Sequence, residues 1–260
     1  MKKTEEKKHT PIKVAKVDQA KVRDFVVKPD TPDLKGDLRI AILVDDIGLN
    51  MEALQDLLAI DAPLSFAVLP HQPHSMQAAQ ALHRRNRDTL LHLPMEPRSY
   101  PKDRPGEGAL FLSMSDEEIR KQFKQDLASV PHALGVNNHM GSRFSEDKEK
   151  MAVVMAEMKN RGLFFVDSRT TGGSKAREAA DRAGVRFLAR KIFIDNDQSY
   201  EASFKILTDI LQEPGKLNGH GPILLIGHPY PSTVAAIRDA VPLLEAGGVR
   251  IVPVSKIVRQ

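Results

Sequence analysis

The sequence predicts an α/β fold, a distorted (β/α)7-type barrel of parallel strands joined by helical crossovers. Three observations predict it. Apolar runs alternate with amphipathic stretches seven or eight times from Arg39 onward, and strand-then-helix repetition marks parallel strands with crossover helices. The strands are apolar nearly throughout, as a sheet covered on both faces requires. The repeats fill about 220 residues, which suits a barrel better than an open sheet.

In order, the apolar runs are RIAILVDD (39–46), LSFAVLP (64–70), DTLLHLPM (88–95), ALGVNNHM (133–140), LFFVDSR (163–169), RFLARKIFID (186–195), PILLIGHP (222–229) and VRIVPVS (249–255). NMEALQDLLAI follows the first strand as a helix, and SMQAAQALHRRN follows the second. SDEEIRKQFKQDLASV opens on Ser115 with Glu118 three residues on, the capping-box pattern. SEDKEKMAVVMAEMKNRG is expected to be capped by Ser145 and stopped by Gly162. SKAREAADRAG, SYEASFKILTDILQ and STVAAIRDAVPLLEAGG also open on serine, and the first and last stop at glycine. EPRSYPKDRPGEGALFL (96–112) is the longest non-repeating segment. It is expected as a long loop after the third strand, of the kind that shapes a site.

Residues 1–36 read as a disordered or loosely attached tail, with the barrel domain over 37–260. The tail holds ten Lys/Arg and six Asp/Glu, and the rest of the chain holds 28 of each. All the excess positive charge therefore sits in an aromatic-poor leader. That argues against nucleic-acid binding, which needs a basic stripe on the folded part. The absence of cysteine excludes disulfides and thiolate metal sites. No apolar run approaches the length of a transmembrane helix. The start, MKKTEEKKHT, is basic but lacks the apolar core of a signal peptide.

Active sites of (β/α) barrels form at the C-terminal strand ends, so what each strand ends on matters. The first ends on Asp45 and Asp46, and the second on Pro70 and His71 with His74 close behind. The third carries His92, then Pro94 and Glu96. The fourth ends on Asn137, Asn138 and His139, followed by Ser142 and Arg143. The fifth ends on Asp167, Ser168 and Arg169, the sixth on Asp195, Asn196 and Asp197, and the seventh on His228, Pro229 and Tyr230. Each alone has an ordinary structural role open to it. The aspartate pair can form a turn or cap, and Asp167-Ser168 can cap a helix. A strand histidine can be a satisfied buried group, and Asp195 to Asp197 can be a solvated turn. Together on one rim, carboxylates and imidazoles without cysteine are a natural ligand set for zinc or another divalent metal. HExxH, GxSxG and GK[ST] patterns are absent. TTGGSK (170–175) reads as a turn, with an anion-binding helix start as the alternative.

The blocks ILVDDIG, PLSFAVLPHQPHS, LLHLPMEP, GVNNHMGSRFSED, FFVDSRT and IGHPYPST run in this order across residues 39–260. They closely resemble the divergent polysaccharide deacetylase family, a branch related to the nodulation and chitin deacetylases. The resemblance implies a distorted (β/α)7 barrel with a divalent metal, usually zinc, at the C-terminal rim. It implies a polysaccharide or oligosaccharide substrate, such as a cell-envelope glycan, and a periplasmic or secreted protein. Asp45 would be the general base, Asp46 a metal ligand and His228 the general acid. The superfamily's H-x-x-x-H metal pair is broken here, because Glu96 stands four residues after His92. His139, from the next strand, is expected to supply the missing ligand, with Glu96 beside it or as a substitute. Arg143 is expected to orient the base, and Asn138 and Asp167 to support the site or the substrate.

On that reading the metal activates water, Asp45 takes its proton and His228 protonates the departing amine. The products are acetate and a free amino sugar. The alternative is a non-catalytic carbohydrate- or envelope-binding protein that kept the barrel. The presence of both Asp45 and His228 favours the enzyme. A metal-dependent phosphatase would want more cationic donors than Arg143 and Arg169. The chain has no Trp and three Tyr, so Tyr100, Phe111, Phe144 and Tyr230 are the available sugar platforms, ordinary loop packing being their alternative role.

Overall fold

The computed structural model describes residues 38–212 and 223–258. The expected N-terminal tail lies outside them. The elements run β1 (Arg39–Ile47), α1 (Glu52–Leu58), β2 (Ser65–Val68), α2 (Ser75–Arg84), β3 (Thr89–Met95), α3 (Asp116–Ser129), β4 (Gly135–Met140) and α4 (Lys148–Lys159). They continue β5 (Phe164–Asp167), α5 (Ala176–Ala183), β6 (Phe187–Ala189), β7 (Ile192–Phe193), α6 (Tyr200–Gln212), β8 (Ile223–Gly227), α7 (Pro231–Ala246) and β9 (Arg250–Ile251).

Strand order is β6-β5-β4-β3-β2-β1-β8-β7, with β9 beside β1, and the pairings are parallel. The first and last strands of this order, β6 and β7, are separated in the chain by only Arg190 and Lys191. Successive Cα atoms are about 3.8 Å apart, so the two ends of the sheet lie no more than about 11 Å from each other. The sheet is therefore curled, as the sequence predicts.

One strand differs from expectation. The run 186–195 reads as a single strand, but it divides into β6 and β7. Its first half bonds β5, through Arg190 N to Asp167 O at 2.9 Å, and its second half bonds β8, through Lys191 N to Leu224 O at 2.9 Å. One segment serves two neighbours at the closure, so no regular strand runs its full length.

The period-two alternation of strands sorts the core into two layers. Ile40, Ile42, Val44, Phe66, Val68, Leu91, Leu93 and Phe165 face the helices, where they pack with Leu54, Leu57, Phe123 and Met155. The other parity, Ala41, Leu43, Ala67, Leu90, Phe164, Val166, Leu224 and Ile226, forms a separate cluster with Val254, Ile257 and Val258. That cluster is the barrel interior. Gly135 leaves it room, since a Cβ there would stand 2.5 Å from the Phe164 ring.

Ser115 and Glu118 form the predicted capping box on α3. Gly184 closes α5 in the left-handed conformation, φ 67°. Ser145, expected to cap α4, is instead consumed in a 3₁₀ turn, Phe144–Glu146. Asp147 caps the helix by accepting from Lys150 N at 2.9 Å. Among the described residues, no helix is long and apolar enough to cross a membrane.

Candidate metal centre

The inward parity continues past the apolar layer into a polar one. On β1 it runs Leu43 then Asp45, on β3 Leu90 then His92, and on β4 Gly135, Asn137, His139. On β5 it runs Val166 then Ser168, and on β8 Ile226 then His228. These side chains cap the barrel interior at its C-terminal end, where active sites of such folds form.

Asp46 has the wrong parity for this layer, yet it joins it. Its backbone is left-handed, φ 57°, and the β1–β2 register slips between Val44 and Ile47. A bulge of this kind re-aims a side chain, and aspartate tolerates the left-handed region better than most residues. His71, Met140 and Arg169, at or just past the ends of β2, β4 and β5, are also left-handed, with φ of 57°, 53° and 51°. Four of the six left-handed non-glycine residues among those described thus lie at this rim, Asn86 and His132 preceding β3 and β4 at the other.

Asp46 Oδ1, His92 Nε2 and His139 Nδ1 stand 3.1 Å from one another. Ligand atoms at about 2.0–2.1 Å from an ion lie about 3.3 Å apart in a tetrahedron and about 2.9 Å apart in an octahedron. The triangle falls between these spacings and matches one face of a coordination shell. Asp46 Oδ1 is buried and no donor is aligned on it, although two ring nitrogens are close. A buried carboxylate oxygen facing two imidazole nitrogens fits a divalent cation. Among the described residues, these three form the group able to hold a metal.

The electrostatics agree. Burial alone would depress the His92 imidazolium, but the Asp45 and Asp46 carboxylates outweigh it and lift His92 to about 9. Burial also opposes ionisation of Asp46, and the His139 and His92 rings overcome it, holding the carboxyl well below the usual range. The pocket therefore attracts positive charge. Asp45 is 3% exposed. Burial pushes its carboxyl up, and His92 and His228 pull the other way.

His228 faces the triangle from the opposite side of β1, its Nε2 3.9 Å from Asp46 Oδ2. Its Nδ1 lies 3.1 Å from Asp195 Oδ1, and its backbone N donates to Asp195 Oδ2 at 2.6 Å. Thr233 Oγ1 donates to the same oxygen at 3.0 Å. Burial works against protonation of His228, but Asp195, Asp45 and Asp46 raise it. Asp195→Asn is therefore expected to lower the His228 midpoint in an NMR pH titration, and an unchanged midpoint would contradict this pairing. The sign for stability follows. The His228–Asp195 pair stabilises the fold below the unfolded histidine pKa of about 6.5, and the contribution fades as pH rises through the higher folded value.

Several expected residues lie elsewhere. Glu96 falls outside the group of Asp46, His92 and His139. Its Oε2 accepts from Leu112 N and its Oε1 from Arg143 Nη1, both at 2.7 Å, so it pins the 96–112 loop. Arg143 consequently contacts Glu96 rather than Asp45. Asn138 and Asp167 have the outward parity. Asn138 ties loops by accepting from Ser168 N and donating to Met140 O. Asp167 accepts from Arg169 N and Ser174 Oγ, which braces the loop; it does not cap the next helix, whose N-cap position is Lys175 with no side-chain cap. Phe144 is fully buried and offers no platform.

Three contributors have roles that the sequence leaves unassigned. Asn137 bonds both Asp45 and His92. Asp195 is buried rather than in a solvated turn. Arg190, stacked over the Phe193 ring at 4.7 Å, donates to Ser168 O and places its charge near Asp45. Alternation from the apolar layer marks Asn137 and a strand-end position marks Asp195, but nothing local marks Arg190.

Residues 42–258 match the family described as divergent polysaccharide deacetylase. The chain is 35% identical over 211 residues to the uncharacterized Escherichia coli K12 protein YibQ, a match covering 81% of this chain and 64% of that protein. It thus spans less than two thirds of that relative's length. The fold is similar to an uncharacterized protein of Agrobacterium tumefaciens C58, with TM-score 0.79 and 22% identity over 85% of this chain and 89% of the other. It is also similar to the catalytic domain of a peptidoglycan N-acetylglucosamine deacetylase from Eubacterium rectale, with TM-score 0.53 and 14% identity over 87% and 92%. A CE4 family pseudoenzyme from Bacillus anthracis aligns at TM-score 0.50 and 13% identity over 86% and 66%. With the family's match spanning nearly all the described residues, the chain belongs to the divergent polysaccharide deacetylase family.

Proposed function

We propose that the protein is a metal-dependent hydrolase that removes acetyl groups from a cell-envelope polysaccharide. The observation that carries this is the 3.1 Å triangle of Asp46, His92 and His139 flanked by buried Asp45 and by His228. A divalent ion held there, zinc by its preference for this donor set, would supply Lewis acidity and lower the pKa of water. Asp45, in the ionised form that His92, His228 and the Asn137 amide favour against burial, would accept a proton from the attacking water. His228, kept protonated and oriented by Asp195, would deliver a proton to the amine nitrogen as the C–N bond breaks. The proton removed and the proton delivered balance, leaving acetate and an amine. Acting on such a substrate would call for a protein in the periplasm or outside the cell.

The long loop supports a sugar substrate. Tyr100 is 40% exposed, and its ring lies 4.9 Å from that of Phe111. With Arg104, Pro105 and Gly106 they line a depression of about 360 Å³, room for a sugar ring. The bonds of Glu96 to Leu112 and Arg143 hold the loop in place. Tyr100→Ala is expected to raise KM for an acetylated oligosaccharide about tenfold with kcat little changed, the mark of uniform binding. An equal loss in kcat would place Tyr100 in the chemistry instead.

The test is acetate release from acetylated glycans by the zinc-loaded protein. Stoichiometric zinc with glycan binding and no acetate from any acetylated glycan would favour the second reading, a binding protein. The altered H-x-x-x-H pattern, His92 followed by Glu96, is what keeps that reading in play.

A further inference from the structure

Asn137 is fully buried and stands opposite His92 in the β3–β4 register. Its Oδ1 lies 2.9 Å from His92 Nδ1, and its Nδ2 donates to Asp45 Oδ1 at 2.8 Å. Ser168 Oγ lies 3.3 Å from the same nitrogen. With Asp45 ionised, as a general base must be, the amide can point only this way. Exchanging its ends would set a carbonyl against a carboxylate at Asp45, where neither has a proton to give. The carbonyl therefore faces His92, and an acceptor there obliges Nδ1 to carry the hydrogen. Nε2 is then the nitrogen that meets Asp46 and His139.

One side chain thus makes two decisions. It selects the nitrogen His92 presents to the cation, and it holds the Asp45 carboxylate by a donated hydrogen bond. We propose that Asn137 is the positioning residue that couples the ligand set to the general base. This rests on the metal-dependent reading above. Ser168 extends the brace outward, because its carbonyl accepts from Arg190 Nε at 2.7 Å.

Two variants separate the two decisions. Asn137→Ala removes both. Asn137→Asp is nearly isosteric, keeps an acceptor for His92 Nδ1–H, and replaces the donor at Asp45 with a like charge. The measurements are Zn²⁺ affinity, by competition with a chromophoric chelator, and acetate release by the zinc-loaded proteins. Asn137→Ala is expected to weaken Zn²⁺ binding about 10- to 100-fold, the usual cost of losing an outer partner of a metal histidine. Asn137→Asp is expected to keep wild-type Zn²⁺ affinity or tighten it, and to lose about 100-fold in kcat with KM unchanged. A merely structural asparagine would not split the two readouts.

Zinc affinity unchanged in Asn137→Ala, or lost equally in both variants, overturns the coupling while leaving the metal reading intact. Should Asn137→Ala fail to fold, Asn137→Asp decides alone. Zinc retained with turnover lost supports the proposal, and any other combination overturns it. A wild-type protein that binds no Zn²⁺ overturns the metal reading and this proposal with it. If the wild type binds Zn²⁺ but cleaves no glycan, the hydrolase reading falls. The coupling to a general base then falls with it.

Discussion

Asp46→Ala is expected to abolish metal uptake. The wild-type protein, dialysed against Zn²⁺ and analysed for elements, should hold about one ion per chain, and the variant none. His139→Ala should behave alike, since its Nδ1 is another corner of the same triangle. The effect should also appear as stability. Ligand at about 100 times its Kd stabilises a fold by about 2.7 kcal/mol, and a domain of this size gains about 2–4 °C per kcal/mol. Zinc should therefore raise the wild-type Tm by about 5–10 °C and leave Asp46→Ala unmoved.

The uptake should depend on pH in a stated direction. Without an ion, the Asp45 and Asp46 carboxylates overcome burial and hold a proton on His92 up to about 9. Zinc must displace that proton, so binding at neutral pH should release it to the buffer. Affinity should climb from pH 6 toward pH 9 and flatten above, since the proton competes for the same nitrogen. Stoichiometric metal that survives both substitutions would show that the ion sits elsewhere.

The second large effect concerns Asp45→Asn. This variant should lose about 10²- to 10⁴-fold in acetate release, the usual worth of a positioned general base, while keeping its zinc. The substitution is nearly isosteric, and its carbonyl can still accept from Asn137 Nδ2, which donates to Asp45 Oδ1 at 2.8 Å. The fold should survive, and a melting curve checks it. The contrast between neighbours is the discriminating point. Removing Asp46 empties the site, and removing Asp45 leaves it loaded and idle. If Asp45→Asn turned over at the wild-type rate, another group would be taking the proton.

The barrel and most of the rim were legible in the sequence because both follow from periodicity. Alternation along RIAILVDD or DTLLHLPM separates the helix-facing residues from the interior ones, and the same parity extends to Asp45 and His92. The placement of Asp46 was not legible in this way. Strict alternation sends it to the far face, and only the left-handed backbone and slipped register bring it back. The bonds of Glu96 were not legible for a related reason. The resemblance sets it beside the ligands or as a substitute for one, and the peptide N–H of Leu112 and the Arg143 guanidinium claim both its oxygens. Partners 16 and 47 residues away leave no local trace. The burial of Asp195 was hidden likewise, because His228 and Thr233, which justify it, come more than 30 residues later.

The two-residue passage from β6 to β7 also bears on the order in which the chain can assemble as it leaves the ribosome. Phe187–Ala189 can join β5 as soon as it emerges. Ile192–Phe193 cannot, because its partner is Ile223–Gly227, synthesised some 30 residues later. Until then the nascent sheet ends on open edges at β1 and β6, with the β7 segment unpaired beside it, and open edges invite pairing with other chains. Asp195 meanwhile lies beside a place that His228 has yet to fill. A single event, the arrival of β8 between β1 and β7, seals the wall and delivers the last histidine. A chain interrupted before that point is at once an aggregation hazard and an incomplete centre, so quality control of the fold and of the chemistry would reject the same molecules.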